Sequence, residues 1–288
     1  MTVSQLTAQA PAKINLFLRV LSVEQSGYHG IETLFQRIAL ADQLVATRSD
    51  RPGQVTLDVD GPDLGPTDDN LAVRAARMVL DATGRRFGVD LKLTKRIPTA
   101  AGLGGGSADA AAALDLTNQL AGSPIPRAEL LHFASRIGAD VPFLLSGASR
   151  ALGWAHGDRL FQLPSLPPLP LLLIVPPVGV LTADAYRWVD QARSTAAPRG
   201  ALVLDQAGLG GWSDVARMAG NDFESAVFVR EPRIREAFEA LARTGPMLCR
   251  MSGSGSTLFA GYRTTKERDD ARMMLGKKLG QVIATETA

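Results

Sequence analysis

The segment Pro98-Thr-Ala-Ala-Gly-Leu-Gly-Gly-Gly-Ser107 runs without a break into the alanine-rich stretch Ala108–Leu120. Glycines at 102, 104, 105 and 106 let the backbone take either sign of φ and approach a ligand with no Cβ between them. The alanines that follow favour helix, and a helix start offers unpaired N–H groups and the positive end of the dipole. A chain of this kind folds a flexible loop onto a helix N-terminus, a pairing suited to phosphate oxygens. The loop is not a P-loop, because no Gly-Lys-Ser/Thr closes it. A dinucleotide fold is also excluded. The strand pattern Val89–Thr94 ends about eight residues too early for the tight strand-to-glycine turn, and no acidic residue stands suitably after a second strand. Asp109 lies in the first helical turn. It either points away from the phosphates or touches Mg²⁺ through water.

Around this loop the hydrophobic pattern alternates between strand and helix periods. Ile14, Leu16, Leu18 and Val20 recur with period two, as do Val55, Leu57, Val59 and Val89, Leu91, Leu93. Residues 70–82, 107–120 and 127–137 read as helices, the last two ended by Gly122 and Gly138. Prolines at 164, 167, 168 and 170 mark the expected boundary between an N-terminal domain, 1–163, and a C-terminal domain, 164–288. The second half offers a buried strand at 171–175, a helix from Thr182 and a polar insertion near 190–215. After these come a helix opened by Asn221 or Asp222, a helix at 231–243, a strand at 247–251 and a strand at 257–260. The expectation is an α+β protein of two domains, each a β-sheet layered with helices.

Bulk properties narrow the function classes. The 288 residues hold 31 basic and 29 acidic side chains, a formal charge of +2. That balance argues against nucleic acid or a membrane surface as partner, both of which favour clustered basic excess. The apolar stretch 163–181 is broken by six prolines, which a spanning helix tolerates poorly. No charge precedes Lys13, so the basic start of a secretory signal is missing. The single cysteine, Cys249, excludes an intrachain disulfide framework. A cytoplasmic enzyme is the expectation, with a small-molecule substrate and an oligomeric state the sequence leaves open. His132 and His156 have no neighbours at ligand spacing, so no metal cluster is expected.

Two further segments bear chemistry. In Pro11-Ala-Lys-Ile-Asn-Leu-Phe-Leu18 the apolar face holds Ile14, Leu16 and Leu18, and the opposite face holds Lys13 and Asn15. Two residues apart on a strand, these lie about 7 Å from each other. They read equally as a solvated face or as the charge and orientation that phosphoryl transfer requires. Asp140, in Gly138-Ala-Asp-Val-Pro-Phe, precedes a short helix with Pro142 in its first turn. By spacing alone it is a helix cap.

These segments, in this order, resemble the GHMP family of kinases. Further support comes from Gly27-Tyr-His29, Asn70-Leu71 with Arg74-Ala-Ala76, Lys95-Arg-Ile-Pro98, Asn221-Asp-Phe-Glu224 and Met251-Ser-Gly-Ser-Gly255. The resemblance implies a two-domain fold with the active site in the cleft between the domains, and ATP with Mg²⁺ as the phosphate donor. It implies Asp140 and Lys13 as the catalytic pair. It implies nucleotide contacts at Asn70, Lys95, Pro98, Gly102, Leu103, Gly104, Gly105, Gly106 and Ser107. Ala-Lys-Ile-Asn and Gly-Tyr-His narrow the acceptor to a cytidine-diphosphate-linked sugar alcohol, with contacts at Asn15, Tyr28, His29, Thr182 and Tyr186. Tyr186 either closes an aromatic sandwich on the pyrimidine or packs as a core tyrosine. Ala100, Ala101 and Ala108 depart from the family pattern, and the last removes one hydroxyl from the phosphate site. A homoserine- or mevalonate-type kinase would keep the loop without a use for Tyr28 and His29. A silent nucleotide-binding regulator would have no need of Lys13 and Asp140.

Overall fold

The computed structural model describes residues 4–25, 27–193, 205 and 208–288. Two sheets lie face to face with helices covering both outer sides, an α+β architecture. The first sheet begins with two long antiparallel strands, β1 (Gln5–Val23) and β2 (His29–Ser49). The strand β3 (Val55–Asp60) leads through α1 (Leu71–Ala82) to β4 (Gly88–Thr94). Next come α2 (Gly105–Leu120), α3 (Arg127–Ile137) and α4 (Val141–Ser146), then β5 (Arg150–Ala155) and β6 (Arg159–Leu163). The sheet order is β3-β4-β2-β1, with β5 on β2 and β6 on β5, and a short strand from later in the chain on the free edge of β1.

After the proline segment, β7 (Pro170–Val175) opens the second sheet. It is followed by α5 (Thr182–Arg193), α6 (Trp212–Met218) and β8 (Gly220–Asn221). The chain continues with α7 (Phe223–Arg230), α8 (Pro232–Ala242), β9 (Leu248–Met251), β10 (Leu258–Gly261), α9 (Thr265–Met274) and β11 (Gln281–Glu286). The second sheet runs β11-β7-β10-β9. The polar insertion expected near 190–215 lies partly outside the described residues. The short β8 belongs to the second half of the chain yet pairs in parallel with β1, at Phe17 and Leu18.

Three apolar clusters hold the layers together. α1 to α4 pack on the outer face of the first sheet, and α5, α7, α8 and α9 pack on the second. The third lies between the sheets, where Ile14, Leu16, Leu34 and Ile38 meet Leu171, Leu173 and Phe259. β7 is buried on both faces: Leu171 and Leu173 face the first sheet, while Leu172 and Ile174 face the helices. That explains its unbroken apolar run. α2 is buried almost all round, as expected for a helix with apolar residues on every side.

The strand face bearing Lys13 and Asn15 is not solvated. Both are buried, since α2 and its glycine loop cover that side. Phe35, fully buried, stacks on Phe143 at 4.9 Å and lies beneath the Lys13 ammonium at 5.8 Å. Removing a fully buried ring leaves a cavity as well as losing transfer energy. Phe35→Ala is therefore expected to cost about 3–5 kcal/mol, read as a lower urea midpoint with an unchanged m-value.

Candidate active site

The Lys13 ammonium lies 3.2 Å from Asp140 Oδ2 and donates to Asn15 Oδ1 at 2.9 Å. Asn15 is fixed in turn: its amide donates to Thr33 Oγ1 at 2.8 Å, and Thr33 donates to the Phe17 carbonyl at 2.8 Å. Strand period two sets Lys13 and Asn15 on one face. Asp140 arrives from the turn between α3 and α4. It occupies the N-cap position of α4 yet accepts no capping hydrogen bond, so its carboxylate is free for the lysine. Lys13 is 5% exposed at its side chain and Asp140 28%. The ammonium is enclosed and the carboxylate faces open space.

The glycine loop passes directly over this pair. The Lys13 amide donates to the Leu103 carbonyl at 3.0 Å. At Gly104, with φ of +70°, an added Cβ would sit 3.1 Å from the Lys13 chain and 3.5 Å from Asp140 Oδ2. Gly102 meets the second glycine loop just as closely. A Cβ there would come within 2.4 Å of the Ser252 carbonyl, and Ser252 Oγ donates to the Gly102 carbonyl at 2.9 Å. Asn221 holds that second loop from below, donating to the carbonyls of Met251 at 2.7 Å and Gly253 at 2.8 Å. Its carbonyl oxygen accepts from the Phe223 amide at 2.9 Å and so opens α7.

Three cavities meet here. One of about 400 Å³ is lined by Asn70, Lys95, Pro98 and the residues from Gly102 to Ser107. A cleft of about 250 Å³ over Lys13, Asn15 and Asp140 shares Gly102, Gly104 and Ser107 with it. A third, of about 850 Å³, is lined by Tyr28, His29, Thr182 and Tyr186. It shares Ala139, His156, Thr182 and Tyr186 with the cleft. Tyr28 is exposed and tilts against the His156 ring at 5.7 Å. His29 stacks on Tyr186 at 4.8 Å and hydrogen-bonds Asp190 Oδ1 at 2.8 Å. Tyr186 meets Phe223 edge-to-face at 4.9 Å in the core, and it also lines the cavity. Burial, with the Asp140 charge adding to it, raises its phenol above the ordinary value.

Asn70 and Lys95 line the phosphate-loop cavity, and each also has partners within the fold. The Asn70 side chain accepts from the Ala72 amide at 2.9 Å and caps α1. The Lys95 ammonium is bound by the carboxylates of Asp42 and Asp109, the latter at 2.8 Å. All three side chains are no more than 3% exposed. Lys95 is thus engaged beneath the loop, and only the wall of the cavity is left for it to form. Asp109 is buried and divides its two oxygens. One oxygen takes Lys95; the other, Oδ1, is buried with no partner among the described residues. Asp42 was not visible in the sequence as a site residue, because its partners Lys95, Arg96 and Ile97 lie more than fifty positions away. His156 was dismissed for lack of sequence neighbours, yet it stands at the junction of cleft and cavity. Among the described residues, no group of three His, Cys, Asp or Glu side chains can hold a metal ion.

A glycine loop facing an enclosed ammonium and its open carboxylate, with a larger cavity beyond them, is the site of a small-molecule kinase that uses ATP. Residues 70–148 match the model of the GHMP kinases N terminal domain, and residues 184–280 match that of the GHMP kinases C terminal. The chain belongs to the GHMP kinase family. It is 39% identical to the 4-diphosphocytidyl-2-C-methyl-D-erythritol kinase of Pelotomaculum thermopropionicum, over 98% of each chain. It is 43% identical to the enzyme of the same name from Deinococcus radiodurans, over 87% of this chain and 82% of that one. A crystal structure of a 4-(cytidine 5′-diphospho)-2C-methyl-D-erythritol kinase superposes with a TM-score of 0.81 at 34% identity, over 98% of this chain and 99% of that one. The homoserine kinase of Cytophaga hutchinsonii shares the fold, with a TM-score of 0.71 at 21% identity over 100% and 96% of the two chains.

Burial pushes the Asp109 carboxyl up to about 7, against the pull of Lys95 and with the push of Asp42. The folded protein therefore keeps this proton at pH values where the unfolded chain, with a carboxyl near its ordinary ~4, has released it. The stability this confers is whole below about pH 4 and lost as pH rises towards about 7. Asp109→Asn removes the titration. The unfolding free energy of the variant, less that of the parent, is expected to climb between about pH 4 and 7 and stay level above, as denaturant titrations across that range will read.

Proposed function

We propose that this kinase transfers the terminal phosphate of ATP to the 2-hydroxyl of 4-diphosphocytidyl-2-C-methyl-D-erythritol, a step of non-mevalonate isoprenoid precursor synthesis. The observation that supports this most is the row of three cavities, with Lys13 and Asp140 lining only the middle one. A phosphate site on one side and an aromatic-walled cavity on the other suit a nucleotide donor and a nucleoside-linked acceptor. The two relatives over four-fifths or more of their length bear the same name.

In this reading the acceptor alcohol lies in the cleft against Asp140. Its oxygen attacks the terminal phosphorus as the bond to the bridging oxygen breaks, and ADP leaves. Asp140 takes the hydroxyl proton. Lys13, 3.2 Å away, orients that carboxylate and offsets charge on the transferring phosphoryl group. Asn15 fixes the ammonium so that it need not reorganise. The amides of Gly104–Ser107 and the N-terminus of α2 receive the phosphate oxygens. Tyr28 supplies a π-face for the pyrimidine. His29, held by Asp190 at 2.8 Å, stands beside it in a fixed orientation.

Magnesium fits as a companion of the nucleotide phosphates, since that ion commonly takes only one or two protein oxygens. The Ser107 hydroxyl, on the wall of the phosphate cavity, would hold it through water, and Asp109, whose Oδ1 is buried without a partner among the described residues, borders the same cavity. Bound there, it would screen charge between the terminal phosphates.

Incubation with ATP and 4-diphosphocytidyl-2-C-methyl-D-erythritol is expected to yield ADP in step with loss of the alcohol. Phosphorylation of homoserine or mevalonate in its place would end the reading. Asp140→Asn is expected to lower turnover by ~10²–10⁴ with ATP affinity near that of the parent. Turnover within tenfold of the parent removes Asp140 from the proton-accepting role.

A further inference from the structure

The acceptor just proposed joins its base to its alcohol through a diphosphate, and this inference rests on that reading. If the pyrimidine lies among Tyr28, His29 and Tyr186 while the alcohol meets Asp140, the diphosphate must cross the wall that cleft and cavity share. A diphosphate diester bears two negative charges at neutral pH, so removing it from water without a cation is costly. The cations around the large cavity are mostly taken. His29 is held by Asp190 at 2.8 Å, Arg187 by Asp184 at 2.7 Å and His156 by Glu24 at 3.1 Å.

Arg136 differs. It lines the same cavity, and among the described residues no carboxylate lies within ion-pair distance of its guanidinium. It sits in the last turn of α3, where the helix dipole favours a cation, and Ile137, Gly138 and Ala139 lead from it along the cavity wall to Asp140. It also lines an adjoining cavity with Arg74, Arg77 and Asp81, where Arg77 is already paired with Asp68 at 2.5 Å. A planar guanidinium matches phosphate oxygens in two-point contact.

The geometry points to Arg136 as the residue that recognises the acceptor's diphosphate and so selects a nucleotide-linked alcohol over a free one. Because the side chain is exposed, its replacement leaves the core intact. The probes are cytidine 5′-diphosphate and cytidine, measured by calorimetry with the phosphate loop filled by a non-hydrolysable ATP analogue. The parent is expected to bind the diphosphate at least about tenfold more tightly than the nucleoside, on the scale of a charged hydrogen bond. In Arg136→Gln that preference should fall to within about threefold, and Arg136→Lys should restore part of it. In turnover assays Arg136→Gln should raise KM for the acceptor by a similar factor, with kcat and KM for ATP near those of the parent. A parent that prefers the diphosphate and an Arg136→Gln variant that keeps the full preference would overturn the inference while leaving the acceptor reading intact. A parent that binds neither probe would overturn both.

Discussion

An ammonium group sealed from water must be met by an opposite charge or by hydrogen bonds, and the arrangement around Lys13 answers that demand. Asp140 and Asn15 each meet it once, and the ring of Phe35 lies beneath it. Losing the carboxylate would leave the buried cation with neutral partners only, which is destabilising. The first strand, the glycine loop and the turn before α4 are thereby committed to one spot. The same contact that meets the buried charge fixes where the Asp140 carboxylate stands in the cleft.

The loops around the pair are held as tightly as the pair. The backbone of Lys13 bonds to Leu103, the carbonyl of Gly102 accepts from Ser252, and Asn221 ties the second loop to the edge of β1. Beneath the first loop, Lys95 and its two carboxylates form a buried ionic support. Such a cluster adds little net stability but fixes geometry, because each member is unfavourable without the others. Preorganised amides are what phosphoryl transfer asks of a protein, since the chemistry itself resides in the nucleotide.

Much of this was legible along the chain because it is local. The glycine loop, the helix behind it and the alternation that sets Lys13 beside Asn15 each occupy a few consecutive residues. What was not legible depends on distant pairing. β1 and β2 both have runs buried on both faces, and in β1 the polar Lys13 and Asn15 on one of those faces keep a period of two visible in the sequence. Asp42 meets Lys95 only after β2 and β4 have paired. The cap expected at Asp140 is displaced because Lys13, 127 positions earlier, competes for the carboxylate and wins. Asn221 was read as a helix start, which its carbonyl oxygen performs, while the work of its amide could be seen only in three dimensions.

The apolar seam between the two sheets also bears on how the molecule handles its substrates. Ile14, Leu16 and Ile38 interlock with Leu171, Leu173 and Phe259, and β8 stitches the later half of the chain into the earlier sheet. The halves therefore cannot swing apart like jaws without tearing a shared interior. The phosphate-loop cavity and the aromatic cavity flank one cleft, so their spacing was settled when that interior closed, and the chain has no loose hinge on which to change it.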